Sequence, residues 1–114
     1  MGITERRLDS RVNLRIPLRF RPINNVNAPM QVAESVNLSP RGAYFATDFP
    51  LQVGAPVEIF MKMPRELTGQ PSADVRCTAL VVHIERDAFV GGKAGVGVHI
   101  ERYEALAGAE RWTS

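Results

Sequence analysis

Lysine is nearly absent from this chain: Lys62 and Lys93 stand alone against twelve arginines. Cysteine occurs once, at Cys77, which excludes an internal disulfide and a cysteine-built metal cluster. Flanked by strand-forming residues, Cys77 reads as a small buried hydrophobe, and its isolation suits a reducing compartment. No apolar run approaches the roughly 18 residues that a membrane-spanning helix needs. No apolar stretch follows the N-terminal arginines either, so no secretory signal is read there. Aromatic residues make up 7% of the chain and form no clustered pattern, which speaks against the stacking platforms of a single-strand nucleic-acid binder. Internal repeats and low-complexity segments are missing as well.

What is present suits one small domain. With 114 residues and 45% hydrophobic content, the chain can bury a single modest core but cannot build the two halves of a cleft enzyme. The net charge of +2 is unevenly spread. Arg6, Arg7, Arg11, Arg15, Arg19 and Arg21 oppose only Glu5 and Asp9, so the first 21 residues carry +4 and the remainder −2. Arginine's flat fork can clamp a phosphate or a guanine edge and can stack on a base. This basic arm therefore points to a phosphate-bearing or nucleotide partner. Arg15 and Arg19 are expected on the solvated face of a strand.

Period-two alternation dominates, the mark of half-buried strands. From Val12 to Phe20 the even positions are all apolar, and Pro17, which lacks an amide donor, places this strand at a sheet edge or marks a bulge. After a turn-rich loop over 22–29, a second strand spans about 30–38, with Val32, Val36 and Leu38 on one face that Glu34 interrupts. Ser39-Pro40-Arg41-Gly42 is a tight turn, and 43–47 a short third strand. Val57, Ile59, Met61 and Met63 mark one face of a fourth. A loop over 64–73 leads to a long strand, about 74–86. Its apolar phase switches from Val75, Cys77 and Ala79 to Leu80, Val82 and Ile84, which is what a β-bulge produces. His83 falls in phase with the earlier core positions. A glycine turn at 90–93 precedes the last strand, 95–100, where Gly95 and Gly97 share one side and leave room for close backbone approach or a neighbouring chain. Residues 103–111 read as a short helix. The fold class is therefore all-β, a small six-stranded antiparallel β-barrel with a short C-terminal helix. The expected organisation is a flexible arginine-rich arm over 1–11, the barrel over 12–102, and the helix or tail over 103–114.

Two motifs rise above this background. Arg6-Arg7-Leu8-Asp9-Ser10-Arg11 is an R-R-x-x-x-R run just before the first strand, and Asn37-Leu38-Ser39-Pro40-Arg41-Gly42 is an N-x-S-x-x-G at the end of the second. In this order, and with the strand pattern around them, they resemble the signature of the PilZ family, R-x-x-x-R followed by D/N-x-S-x-x-G. Gly95-Val96-Gly97-Val98-His99-Ile100 is similar to that family's last barrel strand, so the resemblance covers nearly the whole chain. It implies a receptor for the bacterial second messenger cyclic di-GMP, with no chemistry performed on the ligand. The resemblance assigns Arg7 and Arg11 to the guanines and phosphates. Asn37 would accept from a guanine's N1 and N2 edge, Ser39 would offer a hydroxyl, and Gly42 would permit positive φ or close ligand approach. Arg6, beside the first family arginine, implies a stacked ligand dimer. Arg41, at a free position of the motif, is a further candidate contact.

Catalysis finds little support. Ser39 has no local base, and His83 and His99 lie inside strands without ligand or triad spacing, so neither catalytic residues nor a metal site nor a cofactor is expected. The expected setting is the bacterial cytoplasm, away from the membrane, with the signal passed to a downstream protein in motility or biofilm control. Two rival readings remain: a PilZ-type adaptor acting through protein contacts without ligand, as in motility or pilus assembly, and a small nucleic-acid-binding barrel.

Overall fold

A computed structural model describes residues 13–25 and 27–106. Six strands follow one another: β1 Pro17–Pro22, β2 Gln31–Ser39, β3 Gly42–Thr47, β4 Pro56–Met63, β5 Ala73–Glu85 and β6 Ala94–Ala105. A single helical turn, α1 Arg65–Thr68, joins β4 to β5 and ends on Gly69, whose φ of 73° supplies the left-handed cap. The strands close into a barrel in the order β1-β2-β3-β6-β5-β4, every neighbour antiparallel.

Alternation does the packing. Leu18 and Phe20, Ala43 and Phe45, Val57, Ile59 and Met61, Cys77 and Ala79, and Val96 and Val98 all point inward and are buried. Phe20 anchors one end of the core, its ring centroid 5.0 Å from Phe45 and 6.0 Å from Phe49. Burial pushes the Cys77 thiol up to about 12, so it stays protonated and packs as the small hydrophobe its setting predicted.

Closure corrects the reading of Pro17. A closed barrel has no edge strand, and β1 pairs with β2 on one side and β4 on the other. Pro17 is instead the first residue of β1. It faces Glu34 of β2, while the β4 ladder begins one residue later at Leu18↔Met61. A first position is one that a residue without an N–H can hold.

Three register shifts change which residues face inward. In β2, Ser35 faces Phe45 and Asn37 faces Tyr44, so Val36 is an extra residue. The inward set is therefore Ala33 and Ser35 before the bulge and Leu38 after it, and the face expected through Val32 and Val36 does not exist. Val32 is 74% exposed. In β5, Val81 faces Val98 and His83 faces Gly97, leaving Val82 extra and 51% exposed. The bulge expected in this strand lies beyond Val81, and the ladder also shifts between Thr78 and Ala79, where the extra residue is Glu101 of β6. Consequently His83 leaves the core phase and is exposed.

The C-terminal helix is not formed where it was expected. Tyr103, Glu104 and Ala105 continue β6, facing Cys77, Arg76 and Val75 of β5. The N-terminal half of a 13-residue strand needs a partner for its backbone groups, and that demand outweighs local helix propensity. The barrel therefore runs past residue 102. Residues 107–111 of the expected helix, and the arm over 1–11, lie outside the described residues.

The buried Ser35 hydroxyl accepts from the Ile16 amide at 3.0 Å and donates to the Leu14 carbonyl. Ser35→Ala should therefore cost about 1–3 kcal/mol, since it strands both backbone groups. Val32→Thr, at an exposed site, should stay within about 0.5 kcal/mol. Thermal or urea unfolding of the two variants checks the contrast, and equal stabilities would refute the staple.

Candidate functional site

The N-x-S-x-x-G segment forms the β2–β3 hairpin and the two strand ends beside it. Ser39 faces Gly42 across a two-residue turn of Pro40 and Arg41. The Ser39 hydroxyl accepts from the Arg41 amide at 3.2 Å and donates to the Gly42 carbonyl at 3.4 Å. It is 4% exposed and acts first as a clasp on its own turn. The Arg41 carbonyl in turn accepts from the Ile100 amide at 2.8 Å, which ties the turn to β6.

Gly42 is required by the barrel itself, and not for a positive φ. Its φ is not positive, and the tight approach comes from the protein: a Cβ there would lie 2.6 Å from the Val98 carbonyl oxygen. The glycine lets β3 and β6 pair closely beside the turn.

The β2 bulge turns Asn37 outward, opposite Tyr44. Its Oδ1 is buried without a hydrogen-bond partner. A buried, unmatched acceptor costs roughly 1–3 kcal/mol and calls for a reason. Around it, two rows of outward positions cross the sheet. One runs Ser39, Gly42, His99 and Leu80; the next runs Asn37, Tyr44, Gly97 and His83. The structure thus brings Asn37, Ser39 and Gly42 onto one surface, with Arg41 exposed at its rim. Arg6, Arg7 and Arg11 lie outside the described residues.

Tyr44 and His99 belong to this surface, yet no role was read for either from the sequence. The Tyr44 ring lies over the two glycines of β6; a Cβ on Gly95 would collide with its hydroxyl, and one on Gly97 would approach its ring at 3.8 Å. The room expected beside those glycines is filled by this ring. Its hydroxyl donates to Glu85 at 2.8 Å, and Phe89 packs beside it at 6.1 Å between centroids. Alternation could have shown that Tyr44 points outward between Ala43 and Phe45. Only the strand register reveals that it faces Asn37.

The opposite side of the barrel has a different character. Arg21, Glu58, Arg76 and Glu104 form a ladder of ion pairs, at 3.1 Å for Arg21–Glu58 and 2.7 Å for Arg76–Glu104. The hydrogen bonds from Arg76 lower the Glu104 carboxyl below its usual range. Exposed pairs of this kind are ordinary solvated surface. Arg15 and Arg19 lie outside the core as expected. Among the described residues, no group of three or more His, Cys, Asp or Glu could hold a metal ion, and no helix is long and apolar enough to cross a membrane.

Six antiparallel strands closed on themselves, with a clasped hairpin and an unmatched acceptor on the outer face, define a small all-β barrel domain. The particular family follows from comparison: the model of the PilZ domain matches residues 5–109, and the chain belongs to that family. None of the curated proteins compared matches the chain. Among solved structures, the chain is similar to the Bacillus subtilis inhibitor of motility MotI/DgrA, at 17% identity and a TM-score of 0.65 over 90% of this chain. It spans 44% of that protein's length. A second similar structure is the PilZ domain of CeSA from a cellulose-synthesizing bacterium, at 16% identity and a TM-score of 0.53 over 82% of each chain. Both likenesses show the fold.

Gly42→Ala should destabilise the barrel by about 1–3 kcal/mol, because its Cβ meets backbone that cannot rotate away. Gly95→Ala should be milder, since the colliding atoms end a side chain that can swing aside. Chemical denaturation ranks the two; a neutral Gly42→Ala would show that β3 and β6 can part at no cost.

Proposed function

We propose that this PilZ domain is a receptor for cyclic di-GMP that performs no chemistry on it and relays its presence to a second protein in the cytoplasm. The observation that carries this reading is the unmatched Asn37 Oδ1 on the face shared with Ser39 and Gly42. A carbonyl oxygen has two acceptor sites, and a guanine's N1–H and N2–H₂ are neighbouring donors. Arg7 and Arg11 supply the complementary chemistry, bidentate donation to guanine O6 and N7 or to phosphate. Arg6 adds one more cation, which suits the doubled phosphate charge of a stacked ligand dimer. Arg41, at the rim of the turn, is within the same neighbourhood. The arm folds over the ligand and presents an altered surface to the downstream protein. PilZ domains are generally cyclic di-GMP receptors, and one similar fold belongs to an inhibitor of motility, so motility control is the output we favour.

One observation favours the adaptor reading, in which protein contacts replace the ligand. The Ser39 hydroxyl and the space at Gly42 both serve the hairpin itself, so those two motif residues would persist in a barrel that binds no nucleotide.

Calorimetric titration with cyclic di-GMP separates the readings. Arg7→Ala and Arg11→Ala should each weaken binding by about ten- to a hundredfold, equivalent to roughly 1–3 kcal/mol, with little change in apo stability. Asn37→Ala should weaken binding similarly, yet leave the apo melting temperature unchanged or raised, because it removes an unmatched buried acceptor. The stoichiometry should be two ligands per chain, falling toward one in Arg6→Leu. Added salt should weaken binding, since partly exposed charges are screened over about 8 Å at physiological ionic strength. No heat of binding in the wild type would leave the adaptor reading in place.

A further inference from the structure

Two positions without side chains in β6 seat an aromatic ring on the barrel wall. Tyr44 of β3 lies over them: a Cβ on Gly95 would collide with its hydroxyl oxygen and lie 2.5 Å from Cζ, and one on Gly97 would lie 3.8 Å from Cδ1. The hydroxyl donates to Glu85 at 2.8 Å, and Phe89 packs beside the ring at 6.1 Å with the two planes 44° apart. Tyr44 is half-buried, so part of the ring stays open to solvent. Glycine in a strand interior weakens the strand and often marks a place where something must come close to the backbone. Here β6 gives up a side chain at Gly95, and what it gains is a tyrosine held in one place.

The register shows what stands beside that ring. Asn37 and Tyr44 are Cα partners across β2 and β3, so their side chains are neighbours on the outer wall. Asn37 brings a buried Oδ1 that has no hydrogen-bond partner among the described residues. Tyr44 brings a flat π-surface fixed before any ligand arrives. An acceptor next to such a surface complements a planar heterocycle that stacks on its face and donates from its edge. Guanine is such a ring, since N1–H and N2–H₂ share one edge and every base has a face that stacks on an aromatic side chain. A ring already in place need not be ordered on binding, which lowers the entropic penalty of association.

We infer that Tyr44 is the stacking platform for a guanine whose edge donates to Asn37, and that Gly95 is the residue that positions it. The inference rests on the cyclic di-GMP reading above. It adds to that site two residues, one in β3 and one in β6, that lie outside both the R-R-x-x-x-R run and the N-x-S-x-x-G segment.

Calorimetric titration of the full chain with cyclic di-GMP tests this, with the apo melting temperature of each variant verifying a folded barrel. Tyr44→Leu should weaken binding about tenfold, the scale of one base–aromatic stack. Tyr44→Phe keeps the ring and loses only the tether to Glu85, so it should stay within about threefold of the wild type. Gly95→Ala should weaken binding about as much as Tyr44→Leu, because its methyl group displaces the ring from its seat. The double variant should bind no worse than Tyr44→Leu alone, since both changes remove one and the same contact. Wild-type affinity in either single variant would overturn the inference. So would losses that add in the double variant, because Gly95 then acts through something other than the ring. No heat of binding in the wild type is a distinct result: it removes the receptor reading itself, and this inference with it.

Discussion

A buried hydroxyl governs the geometry of the candidate site. Ser35 faces the inside of the barrel, where an unmet hydroxyl would be costly, and it meets its needs by holding the backbone of Leu14 and Ile16. The chain entering β1 must therefore pass close to β2, where Leu14 and Ile16 are held. Leu14 lies only three residues beyond Arg11. Immediately after Ser35 the strand takes up its extra residue, Val36, and Asn37 turns outward. Without that bulge Asn37 would share the inward face with Ser35, and its amide would enter the core. The staple and the bulge together set the entry to β1 and the asparagine on neighbouring parts of one wall.

The outer surface divides along the same logic. On the wall formed by β1, β4 and β5, cations and anions alternate and neutralise one another, as in Arg21–Glu58 and Lys62–Asp74. The exposed cations Arg21 and Lys62 keep that wall wet. On the wall formed by β2, β3 and β6 the surface is built from glycines, a clasped turn, an unmatched amide and one tyrosine laid flat. Tyr44 depends on the absence of side chains at Gly95 and Gly97, and its hydroxyl is steadied by Glu85. Polar groups held in place but not consumed by the fold are what a recognition surface requires, since they need not reorganise when a partner arrives.

Much of this was legible in the residues. Strict alternation in Val57–Met63 located the buried face of β4, and Ser39-Pro40-Arg41-Gly42 declared its turn through residue types that favour one. The motif positions 37, 39 and 42 share an outward face, as their spacing implied once the bulge is counted. The positive φ expected of Gly42 is absent, and the barrel's own demand on it was not legible, because the atom it makes room for belongs to Val98, 56 residues further on. Likewise the inward set of β2 was misassigned: Val32 and Val36 look like core residues locally, and nothing near them in the chain announces the extra residue.

By itself, the sequence determined the period of each strand, the places where the chain turns, and the residue types available to meet a nucleotide. Those are local properties, fixed within a few residues by side-chain alternation and backbone preference. Tertiary structure alone decided the register, the positions of the bulges, the closing of β1 onto β4, and the continuation of β6 through Ala105 in place of a helix. Each of these answers a demand made by a distant segment, such as an unpaired ladder, a buried hydroxyl or a ring needing space. Such demands exist only once the barrel has closed.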